Sequence, residues 1–258
     1  MLSYQHIYHA GNAADVQKHG LLAWMLDYLV QKDKPVSYIE SHAGRGLYDL
    51  GSPEAAKTGE ALAGVDLIEP RFAAGHPYRQ RLTEVRARYG DAAYPGSPLI
   101  AALTLRDTDT IHLAELHPQE FRALTENLAP WKPHIQQRDG FEMALALCPP
   151  TPRRGLMLID PSYEVKADYD RIPKLITQIA RKWNVGIISL WYPLLPANPH
   201  AAMLAELTGT FPDALRSEIR FLPARDGHRM LGSGMFTVNP PHGLAEEATR
   251  ITAMFRGT

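Results

Sequence analysis

From Thr110 onward the chain alternates short apolar runs with helical stretches, and that alternation restricts the fold more than any other feature. Strands are predicted at Thr110–Leu116, His134–Arg138, Gly155–Asp160 and Val185–Trp191, and helices at Pro118–Leu128, Gly140–Leu147 and Ala167–Lys182 lie between them. Strands separated by helices imply βαβ units and a parallel sheet. One more unit precedes them: a helix over Ala13–Val30 with Asn12 as its N-cap, then a strand over Val36–Ser41 that ends in His42-Ala43-Gly44-Arg45-Gly46. Between Tyr48 and Tyr94 the character changes to Gly, Pro, Ala and charge, with helices expected at Glu54–Ile68 and Tyr78–Tyr89. The expected organisation is therefore an α/β domain over residues 1–47 and 95–258 that carries an inserted helical subdomain over 48–94. Tyr94-Pro-Gly-Ser-Pro98 returns the chain to the core through a rigid turn. A last pair of strands, Arg216–Leu222 and Met235–Asn239, is expected to add an antiparallel edge hairpin.

Composition excludes several function classes. With 258 residues, 45% of them hydrophobic, the chain can bury a large core, and its single cysteine, Cys148, rules out an internal disulfide framework or a cysteine-based zinc cluster. His6, His9 and His19 have no recognised zinc spacing, and no metal is expected. The N-terminus lacks a signal-peptide pattern and no apolar stretch is long enough to span a bilayer, so a cytoplasmic protein is expected, acting as a monomer. The net charge of −1 means that any contact with nucleic acid must use a local patch.

Four strand ends carry polar or glycine-rich signals. In open α/β sheets ligands bind at the carboxyl edge of the strands, which is where all four fall. His42-Ala-Gly-Arg-Gly46 offers glycine for close backbone approach, as any tight strand-to-helix turn does. Glu115 is placed to accept both hydroxyls of a ribose, or to be a solvated strand end. It lies much further from the glycine loop than the roughly 20 residues of a simple βαβ unit, as the insertion would require. Asp139-Gly140 can meet an adenine edge or merely open a helix. The fourth, Asp160-Pro161-Ser162-Tyr163, is the most informative, although an Asp-Pro turn with a half-buried tyrosine reads the same way.

That tetrapeptide resembles the Asp-Pro-Pro-Tyr motif of S-adenosylmethionine-dependent amino-methyltransferases. The chemistry needs such groups. The amine of adenine is a poor nucleophile because its lone pair is delocalised into the ring. A carboxylate and a backbone carbonyl, each accepting one amine hydrogen, localise that pair and aim it, while the aromatic ring fixes the plane of the base. The wider pattern is more specific. Tyr4, His9-Ala-Gly-Asn12, Ala14-Asp15-Val, Lys18-His19, His42-Ala-Gly44, Tyr94-Pro-Gly-Ser-Pro98, Glu115-Leu-His-Pro118, Asp139-Gly-Phe141, Ile159-Asp-Pro161, Tyr163-Glu164, Leu190-Trp-Tyr-Pro193 and Gly232-Ser-Gly-Met235 follow in order. From end to end the sequence resembles the bacterial 23S rRNA (adenine(2030)-N6)-methyltransferase family.

The resemblance implies a Rossmann-like S-adenosylmethionine-dependent methyltransferase fold acting on 23S rRNA. It implies that His19, His42, Gly44, Ser97, Glu115, Asp139, Gly140 and Asp160 surround the cofactor. It makes Asp160 the acceptor for the target amine, aided by Pro161 and Tyr163, and gives Tyr4 a contact with RNA. Further RNA-facing charge is expected from Lys18, Arg45, Lys166, Arg225 and Arg229. Two positions depart from the family: Ser162 stands where proline is usual, and Glu40-Ser41 where Asp-Thr is expected. The motif chemistry leaves open a DNA or protein-amide substrate, and Ser162 leaves open a nucleotide- or RNA-binding module without catalysis.

Overall fold

The computed structural model describes residues 4–222 and 230–256. Nine strands run in chain order as β1 Ser37–Glu40, β2 Leu47–Asp49, β3 Ala93–Pro95, β4 Thr110–Ala114, β5 His134–Gln136, β6 Gly155–Ile159, β7 Ile187–Leu194, β8 Leu215–Arg220 and β9 Gly232–Val238. Seven of them form one sheet in the order β5-β4-β1-β6-β7-β9-β8. The first five are parallel, and β9 runs antiparallel between β7 and β8. The mostly parallel sheet is the one implied by the alternation, and its arrangement is the Rossmann-like methyltransferase fold that the resemblance implies. The strand order reverses between β1 and β6, so a crevice opens beyond their carboxyl ends. The expected hairpin closes the sheet edge with its later strand innermost. β9 begins at Gly232, earlier than expected, because Gly232–Gly234 pair with Pro193, Leu194 and Tyr192 of β7.

Separate apolar cores fill the two faces. One joins the helix Ala13–Val30 to Ser97–Thr104 and Leu244–Met254, and the other joins Gly140–Leu147, Asp168–Lys182 and Ala201–Thr210. The helix Ala13–Val30 is buried on nearly every side. Its polar residues Asp15, Gln17, Lys18 and His19 therefore lie in a low-dielectric setting and must be paired. Asn12 caps it, accepting from the Asp15 amide at 2.9 Å.

The antiparallel β2/β3 ladder closes off the excursion between them. The single helix expected over Glu54–Ile68 is instead three short ones, Pro53–Thr58, Glu60–Ala63 and Val65–Ile68. Gly59, at φ 65°, ends the first. The breaks bring Glu60 and Val65 against the N-terminal segment: Glu60 faces His9 and Asn12, and the Val65 amide donates to the Gly11 carbonyl.

Candidate active site

The carboxyl ends of β1, β4, β5, β6 and β7 open into a cleft of about 450 Å³, a size that suits a nucleoside-containing ligand. Its walls include Tyr4, Lys18, His19, His42, Gly44, Ser97, Glu115, Asp139, Gly140, Asp160, Pro161 and Tyr163, but neither Arg45 nor Lys166.

Two glycines shape the wall beside β1. Gly44 sits at φ +60°, and Gly140 packs so closely that a Cβ would fall 1.7 Å from the Ser41 carbonyl oxygen. The Glu115 carboxylate accepts from the Gly44 amide at 2.8 Å and from the His117 amide at 2.7 Å, so it binds the first loop to the end of β4. Burial holds Glu115 above the ordinary carboxylate range in spite of these two donors. Asp139 caps the helix Gly140–Leu147, accepting from Phe141 and Glu142, and pairs with Arg171 at 3.1 Å. Burial alone would raise Asp139; the Glu142 amide and the Arg171 guanidinium hold it below its usual value.

Two histidines of the wall, His19 and His42, are neutral at physiological pH. Burial depresses His19 to about 3 and His42 to about 4. His19 Nδ1 meets the Tyr94 hydroxyl at 2.9 Å, and His42 Nδ1 meets the Ser41 hydroxyl at 2.7 Å. Glu40, at the end of β1, is sealed from solvent and pushed up by burial to about 8, although Ser97 and Tyr38 both donate to it. Ser97 thus reaches the cleft already bound to Glu40, at 2.5 Å.

Asp160 leaves β6 at the centre of the cleft, and its Oδ2 accepts from Lys18 Nζ at 2.6 Å. Lys18 was expected to face RNA. It is 4% exposed, and its ammonium is also 3.0 Å from Asp15 and 5.7 Å from the centre of the Trp191 ring. The charge is thus committed inside the cleft rather than offered to an external phosphate. Burial alone would lower its pKa, but Asp15 and then Asp160 hold it above the ordinary lysine value. Arg45 is likewise committed, in a two-pronged pair with Glu120. Lys166 is exposed, and Arg225 and Arg229 lie outside the described residues.

Tyr163 adopts φ 56°, unusual for a residue with a side chain and concentrated at functional sites. Its ring is 8% exposed and rests on Tyr169, and its hydroxyl donates to the Trp191 carbonyl at 2.7 Å. Tyr4, 37% exposed, lies over the mouth, stacked on His9 with ring centres 5.6 Å apart. Its hydroxyl meets His6 Nδ1 at 2.8 Å, and its amide donates to Glu164, next to Tyr163. Arg171, which lines the same cleft, carries no signal in the sequence, and Trp191 stands out only within Leu190-Trp-Tyr-Pro193, with no role attached. His6 and Asp15 give no sign of their pairing, because it depends on the turn at His6–Tyr8.

Residues 33–257 match the family described as ribosomal RNA large subunit methyltransferase D, RlmJ. The chain is 39% identical over 256 residues to ribosomal RNA large subunit methyltransferase J of Escherichia coli, covering 97% of this chain and 91% of that protein. It is 37% identical over 257 residues to the protein of the same name from Haemophilus influenzae, covering 97% and 92%. The crystal structure of protein LPL1258 from Legionella pneumophila superposes with a TM-score of 0.83 at 33% identity, covering 95% of this chain and 92% of that one. The chain belongs to this family of ribosomal RNA large subunit methyltransferases.

Proposed function

We propose that this protein uses S-adenosylmethionine to methylate N6 of one adenine in 23S rRNA, as a monomer in the cytoplasm. The observation that carries the reading is the Asp160 carboxylate. It stands at the carboxyl end of β6, beside the reversal of strand order, in one cleft with Tyr163 and with the strand-end carboxylates Glu115 and Asp139. Membership of the rRNA methyltransferase family supplies the substrate class.

The donor set suits the cofactor: carboxylates at the ends of β4 and β5 for ribose hydroxyls and an adenine edge, neutral histidines, and a backbone left open by Gly44 and Gly140. In this reading Glu115 holds the ribose, Asp139 and Gly140 meet the adenine, and His19, His42 and Ser97 complete the wall. S-adenosylmethionine supplies an activated methyl group. The target adenine turns out of its stack into the cleft, and the Tyr163 ring, fixed through its hydroxyl, supports the plane of the base. Asp160 and the Pro161 carbonyl each accept one amine hydrogen. N6 would take up the methyl carbon as its bond to the sulfonium sulfur breaks, leaving a neutral thioether, and the methylated nitrogen would then pass one proton to water; the Asp160 charge offsets the positive charge that grows on nitrogen. Tyr4 touches the RNA at the mouth, and residues 48–94 act as an inserted helical subdomain on the methyltransferase domain.

The test is mass mapping of modified nucleosides in 23S rRNA from cells with and without the protein. One N6-methyladenosine should vanish without it, return with the wild type and fail to return with Asp160→Ala, which should keep its fold. Full methylation by Asp160→Ala would refute the mechanism, and an unchanged nucleoside map would refute the substrate.

A further inference from the structure

One buried carboxylate of the cleft has no part in the reading above. Asp15 is 1% exposed, and its two oxygens serve different partners. Oδ2 accepts from the Gly11 amide at 2.9 Å and meets His6 Nε2 at 2.8 Å. Oδ1 lies 3.0 Å from Lys18 Nζ and 3.8 Å from His19 Nε2. Lys18 in turn reaches Asp160 at 2.6 Å. One ammonium is thus shared by two carboxylates, and Asp15 also connects it through His6 to the Tyr4 hydroxyl.

We propose that Asp15 is a positioning residue for methyl transfer, holding Lys18 between two carboxylates so that Asp160 keeps its strength as an acceptor and the cluster keeps a net negative charge. The inference rests on Asp160 as the acceptor of the target amine. A lysine facing Asp160 alone would form a neutral pair, and a carboxylate engaged by a full ammonium charge has less to offer a nitrogen that is becoming positive. With Asp15 present, the two carboxylates and the one ammonium sum to −1. His19, the other group against Asp15, carries no charge at neutral pH because burial depresses it to about 3. Three neighbours fix the Lys18 ammonium in direction: Asp15, Asp160 and the Trp191 ring. The same cluster favours a cationic ligand over a neutral one of equal shape.

A purely structural role is the competing account. Asp15 occupies the first turn of the helix, with its amide on Asn12 and its carboxylate on the Gly11 amide, and could serve only to hold the helix start. Asp15→Asn separates the two, because the amide oxygen still accepts from Gly11 while the charge is gone. S-adenosylmethionine carries a positive sulfonium and S-adenosylhomocysteine does not, so calorimetry with both reads the charge of the cleft without turnover. In Asp15→Asn we expect the sulfonium compound to bind about tenfold more weakly and the neutral one to change by less than about threefold. Turnover at saturating RNA should fall by about ten- to a hundredfold, the scale of a lost bond to a charged group. Asp15→Glu should keep the wild-type affinity ratio and recover part of the turnover. Lys18→Met, which leaves the cluster more negative, should move the ratio the other way, and it decides the matter if Asp15→Asn does not fold. Equal weakening of both ligands in Asp15→Asn, or an unchanged ratio in Lys18→Met, would overturn the proposal. Normal turnover by Asp160→Ala would instead overturn the reading on which it rests, whereas loss in Asp160→Ala with full activity in Asp15→Asn would overturn this inference alone.

Discussion

A carboxylate sealed at the end of β1 makes the stability of the fold depend on pH. Glu40 is raised by burial from 4.5 to about 8, so between these values the folded state binds more protons than the unfolded one. Stability must then fall as pH rises through that window, and the contribution is fully present only below it. Glu40→Gln keeps acceptors for Ser97 and Tyr38 without the charge, so it should gain on the wild type above pH 8 and match it near pH 4. Denaturant midpoints from pH 4 to 9 check this, and parallel curves for the two proteins would assign the titration elsewhere. Glu115 is different in kind, because its carboxylate already receives two amides and needs only a ligand's hydroxyls. Glu115→Ala should weaken S-adenosylmethionine binding by about 1.5–3 kcal/mol, or ten- to a hundredfold. Unchanged affinity by calorimetry would make Glu115 a brace for the first loop only. Ser162 precedes a tyrosine held at positive φ by the Trp191 carbonyl rather than by a neighbouring proline ring. Ser162→Pro is expected to keep turnover and add up to about 1 kcal/mol of stability if the native backbone suits proline. A large loss of turnover, with Ser162→Ala harmless, would show that the Ser162 amide is needed.

At the scale of elements, one link from the excursion 48–94 to the N-terminal segment of the site is the buried side chain of Glu60. Glu60 meets His9 Nδ1 at 3.0 Å and Asn12 Nδ2 at 3.1 Å, and His9 carries the Tyr4 ring. Glu60→Ala would leave both polar groups short of a partner, at a cost of about 1–3 kcal/mol. Because Tyr4 sits at the mouth, RNA methylation should suffer through KM for RNA while S-adenosylmethionine affinity stays constant. The reverse pattern would tie the excursion to the cofactor wall. This link could not be read in the sequence, which suggests one continuous helix where Gly59 and Gly64 break the run into three. The central parallel strands β1, β6 and β7 are legible because their apolar runs are short, buried on both faces and bounded by turns. The helix Ser97–Thr104 is not, because Tyr94-Pro-Gly-Ser-Pro98 reads locally as a turn although proline suits the first turn of a helix. The strand-end site residues were legible as positions. Their commitments to one another, Ser97 to Glu40 and Lys18 to Asp160, belong to tertiary packing and leave no local signal.

At the scale of the whole molecule, charge limits how the RNA can be held. The chain carries a net charge of −1, and the cations nearest the cleft are already engaged: Lys18 by two aspartates, Arg45 by Glu120 and Arg171 by Asp139. The arginines of the helix Pro77–Tyr89 are occupied as well, Arg79 and Arg81 on backbone carbonyls, Arg86 on Glu69 and Arg88 over Trp131. Among the described residues, the cations next to the cleft can therefore neutralise only a few phosphates. Recognition must then rest on shape and on the base taken into the cleft, not on a broad electrostatic grip. Each neutralised phosphate of a single strand contributes about −0.7 to the slope of log affinity against log salt, so a slope of about −1 to −3 is expected for the target RNA. Affinity should then drop by about fourfold to sixtyfold between 50 and 200 mM salt. Titrations of a labelled RNA fragment across that range give the slope directly. A value steeper than about −5 would mean that a basic face outside the described residues grips the backbone, and that the cleft supplies specificity without supplying most of the affinity.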